Sequence, residues 1–217
     1  MKIAMINEFS QSAKNSIVLN ELKNVVEPMG HTVYNTGMTT EEAPLQLGEP
    51  GYLTYLNIGV QAALLLNSGA VDFVVTGCGT GQGALMACNM MPGVVCGYCI
   101  EPSDAFLFLQ INNGNALSLP YAKGFGWGAD VNLKNIFQVA FGSPKGMGYP
   151  QERKESQNRN AAKLFEVKEA ISKPLVDALK AMDQDIVKKS LTPRFLECFY
   201  AGCQNEELKA LVDSYVK

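Results

Sequence analysis

The sequence predicts an α/β fold: a five-stranded parallel sheet covered by helices on both faces, followed by a helical C-terminal extension. Three observations lead there. Apolar runs of strand length alternate with helix-length segments through about residue 145. The runs are nearly continuous in apolar character, as strands buried on both faces are. From about residue 146 the chain turns polar and charged, and residues 161–217 are helix-periodic, interrupted at Pro174 and Pro193.

Taken in order, "KIAMIN" (2–7) is the first strand and 12–28 the first helix. "HTVYNTG" (31–37) is the second strand, followed by a helix over 54–68 with the face "YLNIGVQAALLLN". "VDFVVTG" (71–77) is the third strand, followed by a helix over 83–90. "GVVCGYCI" (93–100) and "NALSLP" (115–120) are the fourth and fifth, with helices over 103–112 and 130–141. The chain therefore divides into a core over 1–150 and an extension over 151–217 that packs on the core or on a second subunit. Ligands of such sheets bind beyond the carboxyl ends of the strands. The positions to watch are Asn7 and Glu8, Asn35 to Gly37, Gly77 to Gly83, Glu101, and "KGFGWGAD" from Lys123 to Asp130.

Composition narrows the function classes. With 217 residues, 47% of them hydrophobic and 18% charged, the chain is expected to fold as one sizeable globular domain with a well-filled core. A formal net charge of -3 gives no electrostatic reason to expect nucleic acid or an anionic membrane as partner. No apolar run reaches the roughly 18 residues of a membrane span, and the N-terminus reads as a strand rather than a signal peptide. The expectation is a soluble, cytoplasmic protein. Its six cysteines are expected to be reduced. "CGYC" (Cys96 to Cys99) imitates a redox pair, yet it lies within a strand, where positions three apart face opposite ways. Structural zinc lacks ligands, because the one histidine, His31, has no second CxxC to join.

"GCGTGQG", Gly77 to Gly83, carries the chemistry. Gly79, Gly81 and Ala84 satisfy G-x-G-x-x-A, and Glu101 sits where a ribose-binding acid would, which is the dinucleotide reading. Against it, the motif follows the third strand instead of the first, and Gly124, Gly126 and Ala129 satisfy the pattern too. The second reading is an anion hole. Successive amides just before a helix N-terminus point at negative charge, and the same positive end favours the Cys78 thiolate. A thiolate beside a pocket of amides can remove a proton next to a carbonyl and hold the resulting enediolate oxygen. The third reading makes Cys78 a small buried hydrophobe and the glycines a tight turn.

"MKIAMIN", "SGAVDFVVTGCGTGQG", "MPGVVCGYCIEPSDA" and "NNGNALSLP" together resemble, in order and spacing, the ribose-5-phosphate isomerase B and galactose-6-phosphate isomerase family. The resemblance covers roughly residues 1–160. It implies a Rossmann-like three-layer αβα sandwich and aldose–ketose isomerisation of a small phosphorylated sugar through an enediol, a pentose phosphate pathway type of reaction. It also implies no metal or other cofactor, and active sites shared between the subunits of a homodimer, with a tetramer as the larger alternative. On the resemblance, Cys78 matches the base that moves the proton between C1 and C2. Gly79, Thr80, Gly81, Gln82 and Gly83 match the loop that stabilises the enediolate, with Thr80 counted among the catalytic groups. Tyr55 matches a tyrosine that precedes a proline and an aspartate in the family, and Asn112 an asparagine on the sugar oxygens. Arg153 and Arg159 lie where C-terminal arginines hold the phosphate. Asn7 and Glu8 end the first strand beside the loop, Asn7 as a substrate contact and Glu8 as a second acid/base.

The departures are equally specific. The family's Asp-His pair after the first strand is Glu8-Phe9 here, the ring-opening histidine falls at Ile100, and basic positions of the next helix are Phe106 and Leu109. A site without these groups is expected to take a non-standard or open-chain sugar phosphate. A binding protein that has lost catalysis, and an NAD-dependent oxidoreductase, remain the alternatives. His31 opens the second strand at its amino end and is expected to be structural. Trp127, between two glycines after the fifth strand, serves either as a pocket wall or in packing.

Overall fold

The computed structural model describes residues 1–216. All five apolar runs become parallel strands: β1 (Lys2–Asn7), β2 (Thr32–Asn35), β3 (Phe73–Cys78), β4 (Cys96–Tyr98) and β5 (Ala116–Pro120). Their order across the sheet is β2-β1-β3-β5-β4. The two strands shorter than expected, β2 and β4, are the edge strands, each held by one neighbour only.

Alternation along the strands builds two separate cores. Ala4, Ile6, Val74, Cys78 and Ala116 face one side, where α2 (Tyr55–Asn67) and α3 (Gln82–Met90) cover them. Ile3, Met5, Val75, Leu117 and Leu119 face the other, under α1 (Asn15–Val26) and α5 (Ala129–Phe141). These layers are the αβα sandwich. The first helix begins later than its pattern suggests: Phe9–Lys14 is a 3-10 segment kinked at Gln11, and regular α-helix starts at Asn15. The helix expected over 103–112 is α4 (Pro102–Leu107) followed by a π-helical turn, Phe108–Asn112, that stops at left-handed Asn113.

The remaining chain is helical: α6 (Lys154–Ile171), α7 (Leu175–Ala181), α8 (Gln184–Ser190), α9 (Pro193–Gly202) and α10 (Glu206–Val216). Leu179, Phe195, Phe199 and Leu211 of this region join the core beneath α2, so α7 to α10 complete that layer. By contrast α6 buries only Ala161. No helix among the described residues is long and apolar enough to cross a membrane.

Candidate active site

The carboxyl ends of β1 and β3 lie side by side, with Asn7 opposite Gly77. One residue further, Glu8 is still extended (φ -99°, ψ 178°), so the register carried on by one step sets it opposite Cys78. Adjacent parallel strands run about 4.8 Å apart and paired residues share a face. By strand alternation Glu8 shares the parity of Ala4 and Ile6, which face the α2–α3 side together with Cys78. Glu8 and Cys78 are each 7% exposed, so a carboxylate and a thiol are almost out of water at the carboxyl end of the sheet. The Glu8 carboxylate is aimed by Ser10, whose amide and hydroxyl each donate to it at 2.6 Å.

Beyond Cys78 the chain turns so that its carbonyls point into the protein. The Cys78 carbonyl accepts from the Tyr121 amide (2.9 Å) and the Gly79 carbonyl from the Ala122 and Lys123 amides (2.9 and 3.2 Å). The Thr80 carbonyl accepts from the Tyr98 hydroxyl (2.9 Å), and the Gly81 carbonyl from the Ser118 hydroxyl (2.7 Å). With the carbonyls engaged, the amides of Gly79 and Thr80 find no protein acceptor among the described residues and remain outward. The Gly83 amide adds to them, because the first turn of α3 leaves its donors unpaired. Outward amides ahead of a helix N-terminus form a concavity for negative charge. Gly81 makes this turn possible with φ +74°, and a Cβ there would stand 2.7 Å from the Tyr98 ring.

Thr80 and Gln82 are exposed on the outer rim, the Thr80 hydroxyl oxygen accepting from the Gln82 amide at 3.3 Å. That bond leaves the Thr80 hydroxyl proton free for a ligand. The Tyr55 ring lies over the loop, since a Cβ on Gly83 would be 3.0 Å from its Cγ. Gln11 also lines the loop, although the sequence reading passed over it. It is buried, donates to the Ser10 hydroxyl oxygen at 2.8 Å, and its Nε2 would lie 3.5 Å from a Cβ on Gly79. Its signal was only its place, four residues beyond the first strand.

Asn7, expected to contact substrate, has its side chain engaged within the protein. Its side chain follows the opposite parity, is 1% exposed, and is consumed internally. Its Nδ2 donates to the carbonyls of Glu8 (3.2 Å) and Met38 (2.8 Å), and its Oδ1 accepts from Asn15 at 2.6 Å. Asn15 and Asn35 exchange a further pair of hydrogen bonds, so three carboxamides lock the ends of β1 and β2 onto α1. Asn112, Arg153 and Arg159 do not meet Cys78 within one chain either. Asn112 lies just before β5, at the amino end of the sheet, and the Gly146–Gly148 segment bonded to Leu109 and Gln110 leads to Arg153 and α6 beside it. Both arginines are exposed.

The positions where histidines and basic residues were expected are apolar in role. Phe9 stacks on Tyr52 with ring centroids 4.4 Å apart and donates its amide to the Leu53 carbonyl. Phe106 packs edge-on against Tyr149, and Leu109 is core. Glu101, the acid the dinucleotide reading needed, accepts from Ser103 at the start of α4. Cys96 and Cys99 are free thiols in opposite cores, and burial pushes Cys99 up to about 12, which removes thiolate chemistry from that pair. His31 bonds the N-terminal amine at 3.1 Å, at the far end of β1. Trp127 is fully exposed.

A family model described as Ribose/Galactose Isomerase matches residues 3–132, and one described as Ribose-5-phosphate isomerase matches residues 170–215. Among solved structures, the chain is similar to a ribose-5-phosphate isomerase from Vibrio parahaemolyticus, at 55% identity over 99% of both chains with a TM-score of 0.93. It is similar to a 4-deoxy-L-threo-5-hexosulose-uronate ketol-isomerase complexed with a tartrate, at 49% identity over 100% of this chain and 99% of that one, TM-score 0.94. A type B ribose 5-phosphate isomerase from Trypanosoma cruzi shares the fold at 17% identity, covering 79% of this chain and 98% of that chain with a TM-score of 0.64. A search of curated proteins finds no match.

Proposed function

Because this chain belongs to the ribose/galactose isomerase family, we propose that it interconverts an open-chain aldose and its ketose through a cis-enediolate, with Cys78 as the carbon base and Glu8 as the oxygen acid/base. The observation that supports this reading most is Cys78 at the carboxyl end of β3, followed by the amides of Gly79 and Thr80, unpaired among the described residues, with the register of β1 continuing to Glu8. Membership in an isomerase family removes the dehydrogenase alternative.

In the forward direction the Cys78 thiolate takes the proton from C2 of the aldose. The electron pair moves into the C1–C2 bond, the C1 oxygen becomes the anion, and the Gly79 and Thr80 amides hold it. Glu8 carries the proton from the C2 hydroxyl to the C1 oxygen, and Cys78 returns its proton to C1. The Thr80 hydroxyl donates to a substrate oxygen at the rim, and Tyr55 and Gln82 flank the sugar.

The substrate's acidic group is a carboxylate in the favoured form of this reading. Supporting it are the apolar residues Phe9, Ile100, Phe106 and Leu109 at the positions named above, and the 49%-identical relative whose substrate is a hexosulose uronate. A phosphorylated sugar is the second form, favoured by the ribose-5-phosphate isomerase at 55% identity. A panel of tetrose, pentose and hexose phosphates and 4-deoxy-L-threo-5-hexosulose uronate, each incubated with the protein in deuterated water, tests both. Turnover of the uronate with deuterium at C1 or C2 is the expected result. Turnover of a sugar phosphate alone would reverse the preference, and tight calorimetric binding of a ligand without exchange would favour a binding protein over an enzyme.

Two copies complete the site in this reading. Asn112, Arg153 and Arg159 sit away from Cys78 in one chain, yet a second copy can bring them to it. A surface suited to that copy runs over α3 and α6, where Met90 is 81% and Ile171 80% exposed and Met86, Leu164 and Val167 on the same two helices are exposed as well. Lys168 ties the two helices together by donating to the Asn89 carbonyl at 2.9 Å. Sedimentation is expected to give a dimer or a multiple of it. Met90→Glu combined with Ile171→Glu is expected to yield an inactive monomer; an active monomer would confine the site to one chain.

A further inference from the structure

The C-terminal helices reach the site through one buried carboxamide. Asn57, in the first turn of α2, accepts from the Thr54 amide (2.8 Å) and hydroxyl (3.0 Å), which caps the helix that Tyr55 begins. Its other end donates to the Ile186 carbonyl and the Ser190 hydroxyl oxygen of α8, both at 3.1 Å. Ser190 spends its own proton on the Ile186 carbonyl at 2.8 Å, so its oxygen is fixed as an acceptor. One turn along α2, Gln61 donates to the Ser190 carbonyl at 2.8 Å and accepts from Thr36, beyond β2, at 3.2 Å. Asn57, Gln61, Ser190 and Thr36 are at most 4% exposed. Buried polar groups tolerate few arrangements in which all are satisfied, so this network specifies one setting of α2 against α8, where apolar packing alone would accept several. A second tie comes from Arg194 of α9, which donates to the Gly37 carbonyl at 2.9 Å and pairs with Glu42.

We infer that the C-terminal helices α7 to α10 are a positioning element for the active site, and that Ser190, acting through Asn57, sets the Tyr55 ring against the Gly79–Gly83 loop. The chain of contact is short: Ser190 to Asn57, Asn57 to the cap of α2, and Tyr55 at the first position of that helix onto Gly83. Its kinetic consequence rests on the isomerase reading, while its structural consequence does not.

The test uses the full chain with Ser190→Ala. Asn57→Asp is the second variant, keeping the cap acceptor and replacing the donors toward α8 by an acceptor that the Ile186 carbonyl repels. Without ligand, amide exchange over residues 54–58 and 79–84 is expected to quicken about tenfold while β1 keeps its protection. Unchanged exchange over 79–84 in both variants would overturn the inference. With the substrate identified by the panel, KM is expected to rise about fivefold, the weight of one hydrogen bond, with kcat nearly unchanged. Combined with Tyr55→Ala, Ser190→Ala is expected to add no further loss, because both act on one contact. Additive losses would make Ser190 merely structural. Should the wild-type protein turn over no member of the panel, the isomerase reading fails alone and the exchange result still decides this one.

Discussion

Cys78→Ala is expected to remove both isomerisation and deuterium exchange, lowering turnover by about 10²- to 10⁴-fold, the usual weight of a positioned proton-transfer group. The fold is expected to survive. Cys78 sits at the carboxyl end of β3, 7% exposed, at the edge of its core, and the replacement removes one sulfur atom that makes no side-chain hydrogen bond among the described residues. The outward amides of Gly79 and Thr80 belong to the backbone and remain, so binding of an enediolate-like inhibitor is expected to persist while chemistry stops. The measurement is deuterium at C1 and C2 of recovered substrate and product, alongside the melting temperature. Full exchange in a normally folded Cys78→Ala protein would remove Cys78 from the mechanism and leave it as packing.

Glu8→Gln is expected to separate the two halves of the reaction. A glutamine fits the same hydrogen bonds: its oxygen accepts from the Ser10 amide, and its nitrogen donates to the Ser10 hydroxyl oxygen, which turns to receive it. The carboxamide cannot carry a proton between the two sugar oxygens. Cys78 then still forms the enediolate, which mostly returns to starting material after exchanging its proton with solvent. Product formation is expected to fall about 10²-fold or more, with exchange into recovered substrate falling much less. A parallel fall in both would assign Glu8 to binding, and no fall would leave it as the cap of the Phe9–Lys14 segment.

The ratio of exchange to product in these two variants therefore assigns the two roles independently of which sugar is turned over. It also distinguishes the chemistry from the positioning role of Ser190, which is expected to alter KM and leave that ratio alone.

Much of the fold was legible because its signals are local. Continuous apolar runs such as "DFVV" mark strands buried on both faces, and β1, β3 and β5 stand where they were expected because they are the central strands. The edge strands β2 and β4 came out shorter because pairing on one side only, a property of the sheet rather than of the run, decides where they stop. The glycine-rich loop was legible too, since Gly81 at φ +74° answers a steric demand that composition announces. Asn7 ends β1 and Glu8 follows it, and only the tertiary structure shows that the Asn7 side chain is engaged by Met38 and Asn15.

The sequence by itself determined the chemistry-bearing loop, the central strands and the resemblance to sugar isomerases, because each is encoded within a few consecutive residues. The tertiary structure alone decided that Ser10 holds the Glu8 carboxylate, that Asn112, Arg153 and Arg159 lie apart from Cys78, and that Ser190 reaches across 133 positions to Asn57. The physical reason is one of range. Periodicity and turn chemistry act through neighbouring backbone geometry, whereas register, the face a residue takes and the partners of buried polar groups are settled only when distant segments close on one another and every buried donor must find its acceptor.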